Sequence, residues 1–322
     1  MKVLVTGGTG FLGSHLVEAL LLDNVEVFVL VKDTKNLKWL QGLDIHILQG
    51  DLFSIPALPG DLGLVYHLAA QTKATKESDY YTVNHQGTAS LFESLERQNL
   101  TAPVVLMSSI AAGGPSTEGR PIREDDPPRP VGPYGCSKLL AEDEALRRKT
   151  ERPVVILRPG IVFGPRDRDM LILFKMFRLG FVPQFHNGSI RASFCYVKDV
   201  IRFLLLFLRR PVPSGEIYNI AMPDPPSFLE FSQKIGRLMG FNPRPLTVPK
   251  RAVGLAARLA EWYARLKKER PTFNRDVYRE MMAIRWVADV RKAAEQLGFQ
   301  ADTPLDLALA DTIDWYYQKG WI

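Results

Sequence analysis

The chain holds 322 residues, 46% of them hydrophobic, which is enough for one large core or two smaller ones. Its two cysteines, Cys136 and Cys195, cannot frame a disulfide-built fold, so a reducing, cytoplasmic setting is expected. The net charge of +6 is spread along the chain, and the longest apolar run, "FLLLFL" (203–208), is far too short to span a bilayer, so neither a nucleic-acid partner nor a transmembrane segment is expected.

In chain order, "KVLVT" (2–6) reads as a buried strand and leads into "GGTGFLGSHLVEALL", which has helical periodicity. A strand follows at 25–31, a helix near 34–41, strands at 44–48 and 62–70, a helix near 83–98 and a strand at 102–109. The segment 113–133 is dense in glycine, proline and charge and reads as a loop. A helix then carries "YGCSKLLAEDEALRR", and "PVVILRP" (153–159) is the sixth strand. Repeated βα units predict an α/β fold with a doubly wound parallel sheet of the Rossmann type over 1–165. Part of 190–220 is expected to return to that sheet. The rest of 166–322, with helices near 169–179, 197–209, 226–239, 250–268 and 305–319, is read as a smaller, mostly helical substrate-capping region.

The stretch "TGGTGFLG" (6–13) follows a strand and opens a helix. Gly7 permits the tight turn, Gly10 lets backbone amides approach a pyrophosphate, and Gly13 allows close helix–strand packing. The helix N-terminus adds N–H donors for the phosphates. Thr9, Phe11 and Leu12 complete this loop. At the end of the second strand, Val31 stands where an acid would select NAD, and Lys32, Lys35 and Lys38 follow. Lys32 is therefore expected to favour the 2′-phosphate of NADP, with NAD as the alternative and Asp33 as a counter-signal. Asp51, with Leu52, is placed against the adenine edge, and Leu68, Ala69 and Ala70 line the end of the fourth strand.

Tyr134 and Lys138 in "PYGCSK" share a helix face, but so do Tyr263 and Lys267 in "YARLK", and spacing alone does not separate them. Their surroundings do. "TGGTGFLG", "YHLAA", "VNHQGT", "LMSSIAAGGP", "PYGCSK" and "LRPGIVFGP" together resemble the extended short-chain dehydrogenase/reductase superfamily, that of the NAD-dependent epimerases and dehydratases, in order and spacing. The details are similar to its dihydroflavonol reductase-like and 3β-hydroxysteroid dehydrogenase-like branch. The resemblance implies that Tyr134 is the general acid/base at the substrate oxygen. Lys138 would favour the phenolate and hold the nicotinamide ribose, and Ser109, rather than Ser108, would hydrogen-bond the substrate oxygen. It places Pro159, Gly160 and Ile161 beside the cofactor, makes Asn84 a backbone organiser, and implies a homodimer through the helices near 83–98 and 134–149. Tyr263–Lys267 has no serine strand behind it and reads as structural.

Three readings stay open: an NADP(H)-dependent reductase or dehydrogenase acting on a small lipophilic carbonyl/alcohol pair, a nucleotide-sugar epimerase or dehydratase retaining NAD, and a non-catalytic dinucleotide-binding protein. Sugar-nucleotide members of the superfamily carry an Asn where this chain has Ile161 and an Arg where it has Ala192, which favours the first. Arg166 and Arg168 keep the second alive. The five histidines show no metal-ligand spacing, so no metal is expected; His67 reads as a core residue and His186 as a candidate to face substrate. Cys136 reads as a packed thiol. Phe174, Met176, Phe177, Phe181, Phe185 and Phe194 suggest an apolar pocket wall or ordinary core. The helix at 254–268 is read as a packed lid in preference to an interfacial helix on a membrane.

Overall fold

Seven apolar stretches lie side by side in one parallel sheet in the order β7-β6-β5-β4-β1-β2-β3. They are β1 (Lys2–Thr6), β2 (Glu26–Val31), β3 (His46–Gln49), β4 (Leu62–His67), β5 (Val104–Met107), β6 (Val154–Pro159) and β7 (Glu216–Ile220). The computed structural model describes residues 1–35, 37–117, 119–178, 181–184, 190–242, 244–247, 249–267 and 285–322. Strands covered on both faces must be apolar throughout, and Val3–Val5, Val104–Leu106 and Val154–Leu157 are all buried. Leu4 and Val65 of the sheet share a core with Leu91, Phe92 and Leu95 of a flanking helix.

Two compact units emerge. The first comprises Met1–Ala112, Pro133–Arg158 and Val200–Tyr218; the second comprises Gly113–Gly132, Pro159–Asp199 and Asn219–Ile322. Helices α1 (Phe11–Leu22), α2 (Gly87–Arg97) and α3 (Pro133–Leu146) belong to the first. The helix expected near 34–41 is only a 3-10 turn, Lys38–Leu40. The Asp33 carboxylate takes the Lys35 N–H at 3.0 Å and Lys38 has φ 52°, so local side-chain bonding and a left-handed residue replace helix there.

Further helices are α4 (Leu171–Arg178), α5 (Val197–Arg209, most of it in the first unit), α6 (Phe228–Leu238), α7 (Lys250–Lys267), α8 (Arg291–Leu297) and α9 (Leu305–Gln318). The second unit also holds three short parallel strand pairs, among them Ile161–Phe163 with Phe194–Tyr196. Its core is aromatic: Phe194 stacks on Phe231 at 3.9 Å between centroids, Phe163 meets Phe231 edge-on at 5.4 Å, and Phe174 meets Tyr316 at 5.1 Å. Phe174, Phe177 and Phe194 are fully buried, so packing and not a pocket wall explains them; Phe185 and the side chain of Phe181 lie outside the described residues, and Met176 is exposed. The segment 113–132 is tied into the same unit by Ser116 N–H to Arg285 O at 3.0 Å and Ile122 N–H to Val287 O at 2.8 Å. No helix among the described residues is long and apolar enough to cross a membrane.

Candidate active site

Strand order reverses between β1 and β4, and in doubly wound sheets ligands bind beyond the carboxyl ends of the strands at that point. Both predicted cofactor segments leave the sheet here. Gly7 has φ 73°, and a Cβ on it would lie 2.6 Å from Ala69 N, so only glycine lets the loop after β1 touch the chain leaving β4. A Cβ on Gly13 would sit 2.2 Å from Gly7 O; here glycine seats α1 against the loop. At Gly10 the added atom would meet only Gly7 O within 4 Å, at 3.1 Å, which leaves the outer side open. Gly10 is the N-cap of α1, with no side-chain cap and no acid in the first turn. An uncapped helix start behind a cleared glycine face fits a pyrophosphate. Thr9, Phe11 and Leu12 are half-buried around it, as are Leu68, Ala69 and Ala70.

The expected acid/base residues follow β5 (Ser109) and begin α3 (Tyr134 and Lys138). Ser108 and Ser109 follow β5 and diverge: Ser108 is buried with its hydroxyl on Glu142, whereas Ser109 is half-buried and its Oγ accepts the Ala111 N–H at 3.1 Å. Ser109 is the serine expected from sequence spacing; the hydroxyl committed to a buried carboxylate is that of Ser108. Tyr134, in the first turn of α3, is half-buried, 6.1 Å between ring centroids from Tyr80. One turn on, Lys138 is buried and donates from Nζ to Met107 O at 2.5 Å, at the carboxyl end of β5. Burial pulls its pKa down to about 8, against the raising influence of Glu142.

Glu142, four residues after Lys138, was not singled out by sequence reading. It is buried and takes a two-pronged bond from buried Arg158 of β6, Nε to Oε1 at 2.9 Å and Nη2 to Oε2 at 2.5 Å. This pair clamps α3 across β5 to β6 and leaves the Lys138 charge in excess. An excess buried cation favours an anion nearby, such as the Tyr134 phenolate.

Asn84 lies in a π-helical turn, Tyr81–Gln86, that precedes α2. Its Oδ1 accepts Gln71 N–H at 2.7 Å, and its Nδ2 donates to Gln71 O at 3.0 Å and Ser137 Oγ at 2.9 Å. Ser137 Oγ in turn donates to Tyr134 O at 2.7 Å, so Asn84 does organise backbone next to Tyr134. His67, the last residue of β4, is buried between Thr6 Oγ1 at 2.7 Å and Thr88 Oγ1 at 2.9 Å. Thr88 spends its proton on Asn84 O at 2.6 Å, so it must accept from His67 Nε2–H. His67 Nδ1 then accepts from Thr6, whose oxygen accepts Ala69 N–H at 3.2 Å. Every donor in this chain has one acceptor when the imidazole is neutral. Burial, followed by Lys138, drives its pKa down to about 3.

Lys32 is 82% exposed and forms an ion pair of 3.3 Å with Asp51. Asp51 also accepts Phe53 N–H and Ser54 Oγ–H, and these bonds, led by Phe53, hold its carboxyl below the usual range. Leu52 is buried beneath them. At the end of β6 Pro159 is buried; beyond it Ile161 is 39% exposed, and a Cβ on Gly160 would lie 2.2 Å from Ser193 O. Gly160 thus serves a tight crossing of strands in the second unit. Arg191 donates to Pro225 O at 3.0 Å, and Arg168 lies over the Trp321 ring at 5.2 Å. A charged crevice of about 430 Å³ in the second unit, lined by Arg123, Glu124, Asp289 and Arg291 among others, is largely neutralised internally, Arg291 binding Asp289 at 2.6 Å. Tyr263 is exposed on α7, the Lys267 side chain and His186 lie outside the described residues, and Cys136 is half-buried.

The NAD dependent epimerase/dehydratase family matches residues 3–221. The chain belongs to that family. It is an NAD(P)-dependent enzyme of the extended short-chain dehydrogenase/reductase type, and its sheet is the Rossmann sheet of that superfamily. Ceramide reductase of Caulobacter vibrioides is 27% identical over 99% of this chain and 96% of its own length. A 4-hydroxy-2-methyl-3-oxo-4-farnesyl-3,4-dihydroquinoline-1-oxide ketoreductase of Stigmatella aurantiaca is 26% identical over 93% of this chain and 92% of its own. Among solved structures, MoeE5 in complex with UDP-glucuronic acid and NAD has a TM-score of 0.77 at 27% identity, covering 99% of this chain and 100% of the other.

Proposed function

We propose that this protein is an NADP(H)-dependent reductase that interconverts a ketone and an alcohol on a lipophilic substrate, with Ser109, Tyr134 and Lys138 as its catalytic residues. The observation that carries it is the buried Lys138 ammonium, one helical turn from Tyr134, with its charge in excess over the Glu142–Arg158 pair. The nicotinamide, when bound, supplies hydride to the carbonyl carbon. Tyr134 Oη gives its proton to the carbonyl oxygen, Ser109 Oγ donates a hydrogen bond to that oxygen, and Lys138 stabilises the phenolate left behind. The glycine loop with Thr9, Phe11 and Leu12 would hold the pyrophosphate, Asp51 and Leu52 the adenine side, and Leu68–Ala70 the rest. Lys32, exposed, would exchange Asp51 for a 2′-phosphate.

Likeness along nearly the full chain to two reductases supports the reaction class, and their lipid and farnesylated substrates support the lipophilic one. The first unit is the cofactor domain in this reading, the second the substrate-capping region, and α2 and α3 the faces of a homodimer. A second reading, a nucleotide-sugar enzyme retaining NAD, is supported by the likeness to MoeE5. Against it stand Ile161 and buried Ala192 at the places where the superfamily's sugar-nucleotide members carry Asn and Arg.

The deciding experiment titrates cofactor-stripped protein with NADPH and NADH side by side, then follows NADPH oxidation with long-chain ketones and with UDP-sugars. NADPH preference with ketone turnover is expected. Tightly retained NAD with conversion of a UDP-sugar would replace this reading by the second.

A further inference from the structure

Helix α7 is built inside out. At 100° per residue, Leu255, Leu259 and Trp262 fall within about 60° of arc, and they are 58%, 56% and 61% exposed. On the opposite side Ala257 is fully buried, with Gly254 and Ala260 half-buried. A lid or core helix of a water-soluble enzyme does the reverse, burying its large apolar residues. The same helix carries Lys250, Arg251, Arg258, Arg265 and Lys267 against a single acid, Glu261. Five cations against one acid make this helix locally cationic.

We propose that α7 is an interfacial helix that docks the protein on an anionic lipid surface. Leu255, Leu259 and Trp262 enter the boundary between headgroups and acyl chains, and the positive charge of the helix is attracted to the lipid phosphates. Isolated exposed leucines need no explanation, but three large apolar side chains aligned on one face do. Pairing with a second copy would bring two strongly cationic helices together. A ridge of protruding side chains suits a deformable surface, whereas a protein that receives an apolar helix face supplies a preformed groove. This inference goes beyond the reductase reading and stands without it.

The test is co-sedimentation of the full chain with vesicles of phosphatidylcholine alone and of phosphatidylcholine with phosphatidylglycerol. Binding to the anionic vesicles about tenfold or more above the neutral ones is expected, together with release at high salt. The Leu255→Glu/Leu259→Glu variant should lose that binding while keeping its cofactor affinity, and Trp262→Ser serves the same purpose should the double variant fail to fold. Absence of wild-type binding, equal binding to both vesicles, or undiminished binding by the folded variant would overturn the proposal. So would light scattering that shows a wild-type oligomer which the variant halves, since the face would then lie between copies. The readout is sedimentation, so a failed search for a ketone substrate leaves it unaffected.

Discussion

The first unit buries cations as well as acids among its described residues, whereas the second buries acids alone beside a cluster of rings. Among the described residues, the buried cations Lys138, Arg152 and Arg158 all belong to the first unit. The second unit buries Phe163, Phe174, Phe177, Phe194 and Phe231, and its buried acids accept hydrogen bonds within the unit, Asp199 from Thr303 Oγ1 at 2.5 Å and Asp167 from Asp169 N–H at 2.8 Å. Removing ions from water costs more than a pair returns, whereas ring burial is favourable outright. Charge buried at such cost marks where chemistry is prepared, and stacked rings mark where shape is maintained.

The contrast can be broken most severely at Tyr134. Tyr134→Phe is expected to lower turnover about 10²–10⁴-fold, with NADPH binding and thermal midpoint unchanged; near-wild-type turnover would remove the acid/base role. The opposite signature belongs to Phe231→Ala, which should cost about 3–5 kcal/mol of stability in urea unfolding and leave NADPH affinity of the folded fraction intact.

Lys138 sharpens the contrast through pH. Its native pKa is about 8 while the unfolded chain holds that proton to about 10.5, so between these values the unfolded state binds more protons. Stability due to this group therefore rises with pH across that window, by about 3 kcal/mol relative to Lys138→Met. Paired melts at pH 7.5 and 10 check the sign. Lys32→Ala, at an exposed site, should weaken NADPH about tenfold and NADH hardly at all, read by fluorescence titration. Smallest is Ser227→Ala. Ser227 and Glu230 form a capping box on α6, with Glu230 N–H to Ser227 Oγ at 3.1 Å and Ser227 N–H to Glu230 Oε2 at 2.7 Å. Its loss should cost about 1 kcal/mol and no activity.

Much of this was legible in the sequence where the signal was local. Apolar runs marked β1 to β6, glycine spacing marked the loop at Gly7–Gly13, and α5 begins and ends where its periodicity said. Contacts between distant residues were not legible: nothing in spacing links Glu142 to Arg158 or seats His67 between Thr6 and Thr88. Periodicity identifies an apolar face but not its neighbour. The phenylalanines near 174–194 therefore read equally as pocket or core, and α7 read as a packed lid although its large residues point to solvent.

The route of the chain through the sheet also bears on biosynthesis. β6 pairs on one side with β5, and its other neighbour, β7, ends only at Ile220. A ribosome making about 5–20 residues per second would therefore leave the β6 edge bare for several seconds after it emerges. Such an edge is a template for strands of other chains. Expression at lower temperature, or with a chaperone that shields nascent chains, should raise the yield of this protein more than that of a sheet completed in sequence order.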